Sequence, residues 1–148
     1  MKKNLVKDCI FCFPPEERII SKYKFFYVLE DLYPVSKFHC LIIPYRHEEN
    51  YFNLANEEIV ELHLILNKEK GKLATLDKTI SAFNVGINIG KDAGQTIFHT
   101  HIHLIPRRHK DIQKLRAYSR VFTEPLGRGV RIFYPCLGQE GASDTRPN

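Results

Sequence analysis

The sequence predicts an α+β fold in which one long helix packs across an antiparallel sheet of about five strands. Three observations carry that expectation. His99-Thr100-His101-Ile102-His103-Leu104-Ile105 alternates histidine with apolar or β-branched residues, the period of a strand. One long stretch, Asn56 to about Lys78, repeats its apolar residues at helical spacing. The strand-like segments are joined by short loops or Gly-rich turns, which favours hairpins over parallel crossovers.

The elements follow in chain order. Lys24 to Glu30 is rich in aromatic and β-branched residues and reads as a strand. Asp31-Leu32-Tyr33-Pro34 breaks it, because Pro34 forces its predecessor away from helix. Phe38 to Ile43 reads as a second strand, paired with the first as an antiparallel hairpin. In the helix, Asn56 is the expected N-cap and Glu57 and Glu58 suit the positive end of the dipole. Ile59, Leu62, Leu66, Leu73 and Leu76 form its apolar stripe. Gly71 marks a bend or looser packing, and His63 is read as structural or solvated. Ala82 to Ile89 is a further strand, joined by the turn Gly90-Lys91-Asp92-Ala93-Gly94-Gln95-Thr96 to the histidine row, which Pro106 closes. The helix is expected on the sheet face that carries Thr100, Ile102 and Leu104. Asp111 to Phe122 allows a short amphipathic helix, Gly127 to Arg131 is a Gly-rich basic element, and residues 138–148 read as a disordered tail beyond a single domain of residues 1–137.

Composition narrows the class. With 148 residues, 43% hydrophobic and 26% charged, the chain can bury one core. A net charge of +5 favours an anionic partner. Its basic residues are scattered rather than clustered with aromatics, so nucleic acid is not expected. No apolar run approaches a membrane span, and Lys7-Asp8 interrupts any leader-like start. A cytoplasmic location is expected.

The chemistry concentrates in two motifs. Histidines at alternate strand positions share one face, where imidazoles can bind metal, move protons or attack an electrophile. The Gly-rich turn just before them suits a phosphate, since backbone N–H groups face an anion and Thr96 adds a hydroxyl. Cys9-Ile10-Phe11-Cys12 has the spacing of a zinc knuckle or a redox pair, although Pro14-Pro15 stands where a redox helix would start. Two ordinary buried cysteines are the plain alternative.

Asn88 to Ile105, with Gly94-Gln95-Thr96 leading into His99-x-His101-x-His103, resembles the signature of the histidine triad (HIT) family of nucleotide hydrolases and transferases. The likeness runs from about Asp8 to Arg108 and points to bacterial members grouped with the dinucleoside polyphosphate hydrolases. It implies a HIT-like fold, a homodimer and cleavage at the α-phosphate of a nucleotide. His101 would be the nucleophile that forms a nucleotidyl-histidine. His103, His39, Thr96 and the turn amides would stabilise phosphoryl charge, and Gln95 would lie near the leaving oxygen. Asp31, Leu32, Asn88, Gly94, Gln95 and Thr96 would contact the nucleotide, Asp31 at the ribose hydroxyls. The resemblance also completes a structural zinc site, adding His47 (after Ile43-Pro44-Tyr45-Arg46) and His99 to Cys9 and Cys12. Magnesium would enter only with a polyphosphate substrate. Phe38 stands before His39 where many relatives have glycine, which would narrow the entrance. The competing readings are a triple-histidine metalloenzyme on His99, His101 and His103, a phosphorylase, and a nucleotide-binding protein without turnover.

Overall fold

The computed structural model describes residues 5–109 and Asp111. The expected helix at Asp111 to Phe122, the basic element at Gly127 to Arg131 and the tail at 138–148 lie outside the described residues. Five strands form one antiparallel sheet: β1 (Ile19–Lys22), β2 (Phe26–Glu30), β3 (Cys40–Pro44), β4 (Ile80–Ile87) and β5 (Ile102–Arg108), in the order β1-β2-β3-β5-β4. Helix α1 (Asn56–Leu76) connects β3 to β4, so β5 inserts between two strands that are far apart in sequence. The α+β expectation holds. No helix among the described residues is long and apolar enough to cross a membrane.

Strand alternation sorts the core into two layers. Phe26, Val28, Cys40, Ile42, Ile102 and Leu104 face α1 and pack with its Leu62 and Ile65. Tyr27, Leu29, Leu41 and Ile43 face the other way and are covered by Phe11, whose carbonyl accepts the Tyr27 hydroxyl at 2.6 Å. The cysteine-bearing N-terminal segment is therefore folded over the sheet face that also carries the histidines. The β2–β3 hairpin pairs in full, from Phe26 opposite Pro44 to Glu30 opposite Cys40.

Several expected boundaries move, each for a local reason. Strand β1 is too short to show alternation in the sequence, and a bulge between Ile19 and Ser21 interrupts it further. Strand β2 starts at Phe26 rather than Lys24, because the Glu61 carboxylate accepts the backbone N–H groups of Lys24 and Phe25 and holds them in a turn. Strand β3 starts at Cys40 rather than Phe38, which has φ +71°, a left-handed conformation costly for a bulky side chain. The helix N-cap is Ala55, not Asn56. Alanine offers no acceptor, but Glu58 reaches back to accept the Ala55 N–H at 2.7 Å. Gly71 lies inside an unbroken helix with open space around it.

Pro106 does not close β5, which runs on to Arg108. Its carbonyl accepts Ser36 Oγ. A strand residue's N–H and C=O point to the same side, so the missing N–H also faces the β3 side. Strand β3 pairs with β5 only as far as Leu104, so no ladder bond is lost. The link from β4 to β5 is not a short turn. It holds a 3-10 turn at Lys91–Ala93 flanked by Gly90 and Gly94 with φ +87° and +83°, values that favour glycine.

Candidate active site

Only His103 lies within β5. His99 sits in a bend, its N–H donating to the Ile97 carbonyl at 2.8 Å, and His101 immediately precedes the strand. Within β5, Ile102 and Leu104 lie on the α1 layer. His103 pairs with Leu41 of β3 and with Gly86 of β4, which sets the row on the face opposite the helix.

His101 is buried, and its Nδ1 lies 2.8 Å from the carbonyl oxygen of His99. A carbonyl only accepts, so Nδ1 carries the proton and Nε2 keeps its lone pair. Burial pushes the pKa of this imidazole down, outweighing the carbonyl contact, so the ring is neutral near pH 7. Phe11 packs against it with a tilted ring, 5.3 Å between ring centres, and His103 stands edge-on at 5.2 Å.

His103 and His39 form a pair, Nδ1 to Nε2 at 2.9 Å. The Val35 N–H points at His39 Nδ1 at 3.4 Å, so the His39 proton sits on Nε2, facing both His103 and the Asp31 carboxylate at 3.3 Å. His103 then carries its own proton on Nε2. Burial, with His101 and His39 nearby, lowers the His103 pKa to about 4, and burial likewise lowers that of His39 despite Asp31. The other Asp31 oxygen accepts the Tyr33 N–H at 2.8 Å, making an Asx turn. Leu32, beside it, is exposed.

The Gly-rich turn gives Gln95 a task different from the expected contact at the leaving oxygen. Its amide is buried and committed: Oε1 accepts the Gly90 N–H at 2.7 Å, and Nε2 donates to the carbonyls of Glu49 and Ile97 at 2.9 and 3.3 Å. Gln95 braces the turn from inside. Asn88 does part of the same work, donating to the Gly94 carbonyl at 3.3 Å. Thr96, at the end of the turn, is exposed.

Cys9, Cys12, His47 and His99 converge although they come from three separate segments, with all four donor atoms within 4.8 Å of one another. Cys9 Sγ is 3.4 Å and Cys12 Sγ 3.7 Å from His99 Nδ1, and Cys12 Sγ is 3.3 Å from His47 Nδ1. His99 donates from Nε2 to the Pro44 carbonyl at 2.9 Å, so its Nδ1 lone pair points at the sulfurs. Two thiols and two imidazoles at these separations fit a tetrahedral zinc ion, with Pro44 as the outer partner of His99. The triple-histidine alternative has no such geometry. Among the described residues His99 groups with the cysteines and His103 with His39 and Asp31, and the three triad imidazoles share no donor cluster.

The sequence reading missed a set of braces around this site. Arg46, Glu48 and Glu58 form a half-buried ion-pair network beside His47, with Glu58 its buried member. Its one sequence signal is that Glu58 precedes Leu62 by four residues and so falls on the buried stripe of α1.

Comparison with known proteins accords with this geometry. The HIT domain model matches residues 15–110, and the chain belongs to the HIT family. It is 31% identical over 136 residues to the asymmetrical bis(5'-nucleosyl)-tetraphosphatase of Schizosaccharomyces pombe, covering 91% of this chain and 73% of that one. The fold superposes on the crystal structure of a HIT family protein from Bacillus anthracis with TM-score 0.65 and 29% identity, covering 71% of this chain and 77% of that one. A zinc-bound histidine triad family protein from Mycobacterium smegmatis gives TM-score 0.61 at 29% identity, covering 70% and 78%.

Proposed function

We infer that this chain hydrolyses a dinucleoside polyphosphate or an adenylate conjugate at its α-phosphorus, through a nucleotidyl group carried on His101. The observation that supports this most directly is the His99 carbonyl on His101 Nδ1, which leaves a neutral Nε2 with its lone pair available. In the first step Nε2 forms a bond to the α-phosphorus, and the bond to the bridging oxygen breaks, with its electron pair leaving on the departing phosphate chain. Water then attacks phosphorus, the P–N bond breaks, and nucleoside monophosphate is released as His101 returns to neutral.

The remaining assignments follow from chemistry. The Nε2–H of His103, oriented through His39, together with Thr96 and the turn amides near Gly94, would donate to the phosphoryl oxygens, each well-placed donor contributing about 3–4 kcal/mol. Asp31, Leu32 and Asn88 would hold the nucleoside, Asp31 through two ribose hydroxyls. Gln95 serves as the internal brace of the turn. Cys9, Cys12, His47 and His99 would hold structural zinc, which supplies a fixed cross-link between the N-terminal segment and the residue whose carbonyl orients His101. Magnesium bound to a polyphosphate substrate would neutralise part of its charge. A homodimer and a cytoplasmic location complete the reading, on the family resemblance.

The test is the intermediate. Enzyme mixed with diadenosine polyphosphate and quenched early in alkali should retain a nucleoside monophosphoryl group on His101. Isotopically labelled water should place its label in the released monophosphate. Nucleoside diphosphate formed only with added inorganic phosphate would make the protein a phosphorylase. Turnover without an adduct, abolished by chelators, would overturn the covalent mechanism, and binding without turnover would make the protein a carrier.

A further inference from the structure

Arg46 is reached by neither the histidine motif nor the Cys-x-x-Cys pair, yet it holds the segment that serves both. Its guanidinium makes a two-pronged contact with Glu58, Nε to Oε1 and Nη2 to Oε2 at 2.8 Å each. It also donates from Nη1 to Glu48 at 2.9 Å and from Nη2 to the Asn53 carbonyl at 3.0 Å. Glu58 is 1% exposed on the first turn of α1, where it accepts the Ala55 N–H as well. The cation is thereby anchored to the helix end.

What the anchor holds lies in the next three residues. His47 places Nδ1 3.3 Å from Cys12 Sγ. The Glu48 carbonyl accepts the N–H of Thr100 at 2.6 Å, the residue between His99 and His101. The Glu49 carbonyl accepts Gln95 Nε2 at 2.9 Å. One short segment therefore presents a metal ligand, hangs the histidine run and fastens the Gly-rich turn, while its other side is fixed to α1 through Arg46.

We propose that Arg46, clamped by Glu58, is a positioning residue: it fixes the backbone of residues 47–49 so that His47 meets the cysteine sulfurs and the Glu48 carbonyl holds the His99 carbonyl over His101 Nδ1. The proposal rests on the zinc and nucleophile assignments above. Its logic is tolerance. Outer partners of metal ligands commonly control affinity by roughly 10–100-fold, and small displacements of a nucleophile cost rate on the same scale. Lysine keeps the charge but cannot make the two-pronged contact with Glu58 while also reaching Glu48 and Asn53. Arg46→Lys therefore separates position from charge.

The experiment compares zinc-loaded wild type, Arg46→Lys and Tyr23→Phe, the last removing a hydrogen bond from the opposite sheet face. Zinc release to a chromogenic chelator and the steady-state constants for diadenosine polyphosphate are measured well below each melting temperature. Arg46→Lys should release zinc roughly 10–100-fold faster and lose kcat on a similar scale, with KM nearly unchanged. Tyr23→Phe should lose stability but keep both. Arg46→Lys that matches Tyr23→Phe in zinc release and kcat overturns the proposal and makes Arg46 a stability element only. Wild type that binds no zinc overturns the metal assignment and the proposal with it.

Discussion

His101 and His63 are both histidines, and their surroundings assign them opposite weights. His63 is exposed on α1 and pairs with Asn67 one turn away. His101 is buried, with one ring nitrogen tied to a carbonyl and the other left as a base. His101→Ala should therefore lower turnover of diadenosine polyphosphate by roughly 10³-fold or more, while equilibrium dialysis shows nucleotide binding largely retained. His63→Ala should stay within about twofold of wild type, as expected for a surface position. Retention of even a tenth of the rate in His101→Ala would remove it as the nucleophile. The histidine row was legible at this scale because a period of two needs only the sequence itself. Gln95 was not: whether an amide faces the ligand or its own turn depends on backbone groups that the turn brings around it.

Helix α1 buries Glu58, Leu62, Ile65 and Glu69, a stripe at helical spacing that ends in a carboxylate at both ends. The apolar stripe expected from the sequence is partly displaced, since Leu76 is exposed and Glu69 is 3% exposed. A buried carboxylate is tolerated only when donors meet it. Glu69 accepts the Tyr23 hydroxyl at 2.5 Å and the Lys72 ammonium at 2.7 Å, which together hold its pKa below the usual range against the effect of burial. Tyr23→Phe removes a hydrogen bond to a charged group and should cost about 1.5–3 kcal/mol in a urea titration. Zinc content should not change, because this contact lies on the α1 side of the sheet and the proposed metal ligands on the other. A Tyr23→Phe midpoint equal to wild type would show that Lys72 alone satisfies Glu69.

Across the whole molecule the buried imidazoles set an acid limit. His103 titrates at about 4 in the fold and at about 6.5 when unfolded. The unfolded chain takes up this proton first as pH falls, so the stability present above pH 6.5 is lost through the window from 6.5 down to about 4. Each unit of difference is worth about 1.4 kcal/mol, so His103 alone accounts for on the order of 3 kcal/mol. His39 and His101, also lowered by burial, act in the same direction. The folded-state carboxylates Glu58 and Glu69 are lowered too, and their stabilisation falls away in more acid solution. Urea midpoints should therefore be level from pH 8 to about 7 and fall steeply below 6. A midpoint unchanged at pH 5 would contradict the burial of these rings. Chelation should lower the midpoint near neutral pH, since the proposed zinc ion would join ligands from three segments, and this difference should shrink in acid as those ligands take up protons.

The sequence by itself determined which residue types stand at which period: the alternation of the three histidines, the single long helical segment, the glycine turn and the Cys-x-x-Cys pair. These are local patterns, and the backbone repeat is enough to assign each to a face. Only the tertiary structure decided how the faces meet. It sends His99 to Cys9, 90 residues away, and His103 to His39, 64 residues away, so neighbours in one motif serve different clusters. It also turns Glu58 inward to Arg46 and lets Pro106 sit within β5 beyond Leu104, where the ladder with β3 has ended. The physical reason is the same in each case. A polar group's role is set by the donors and acceptors that enclose it, and these come from elements that only the folded sheet brings together.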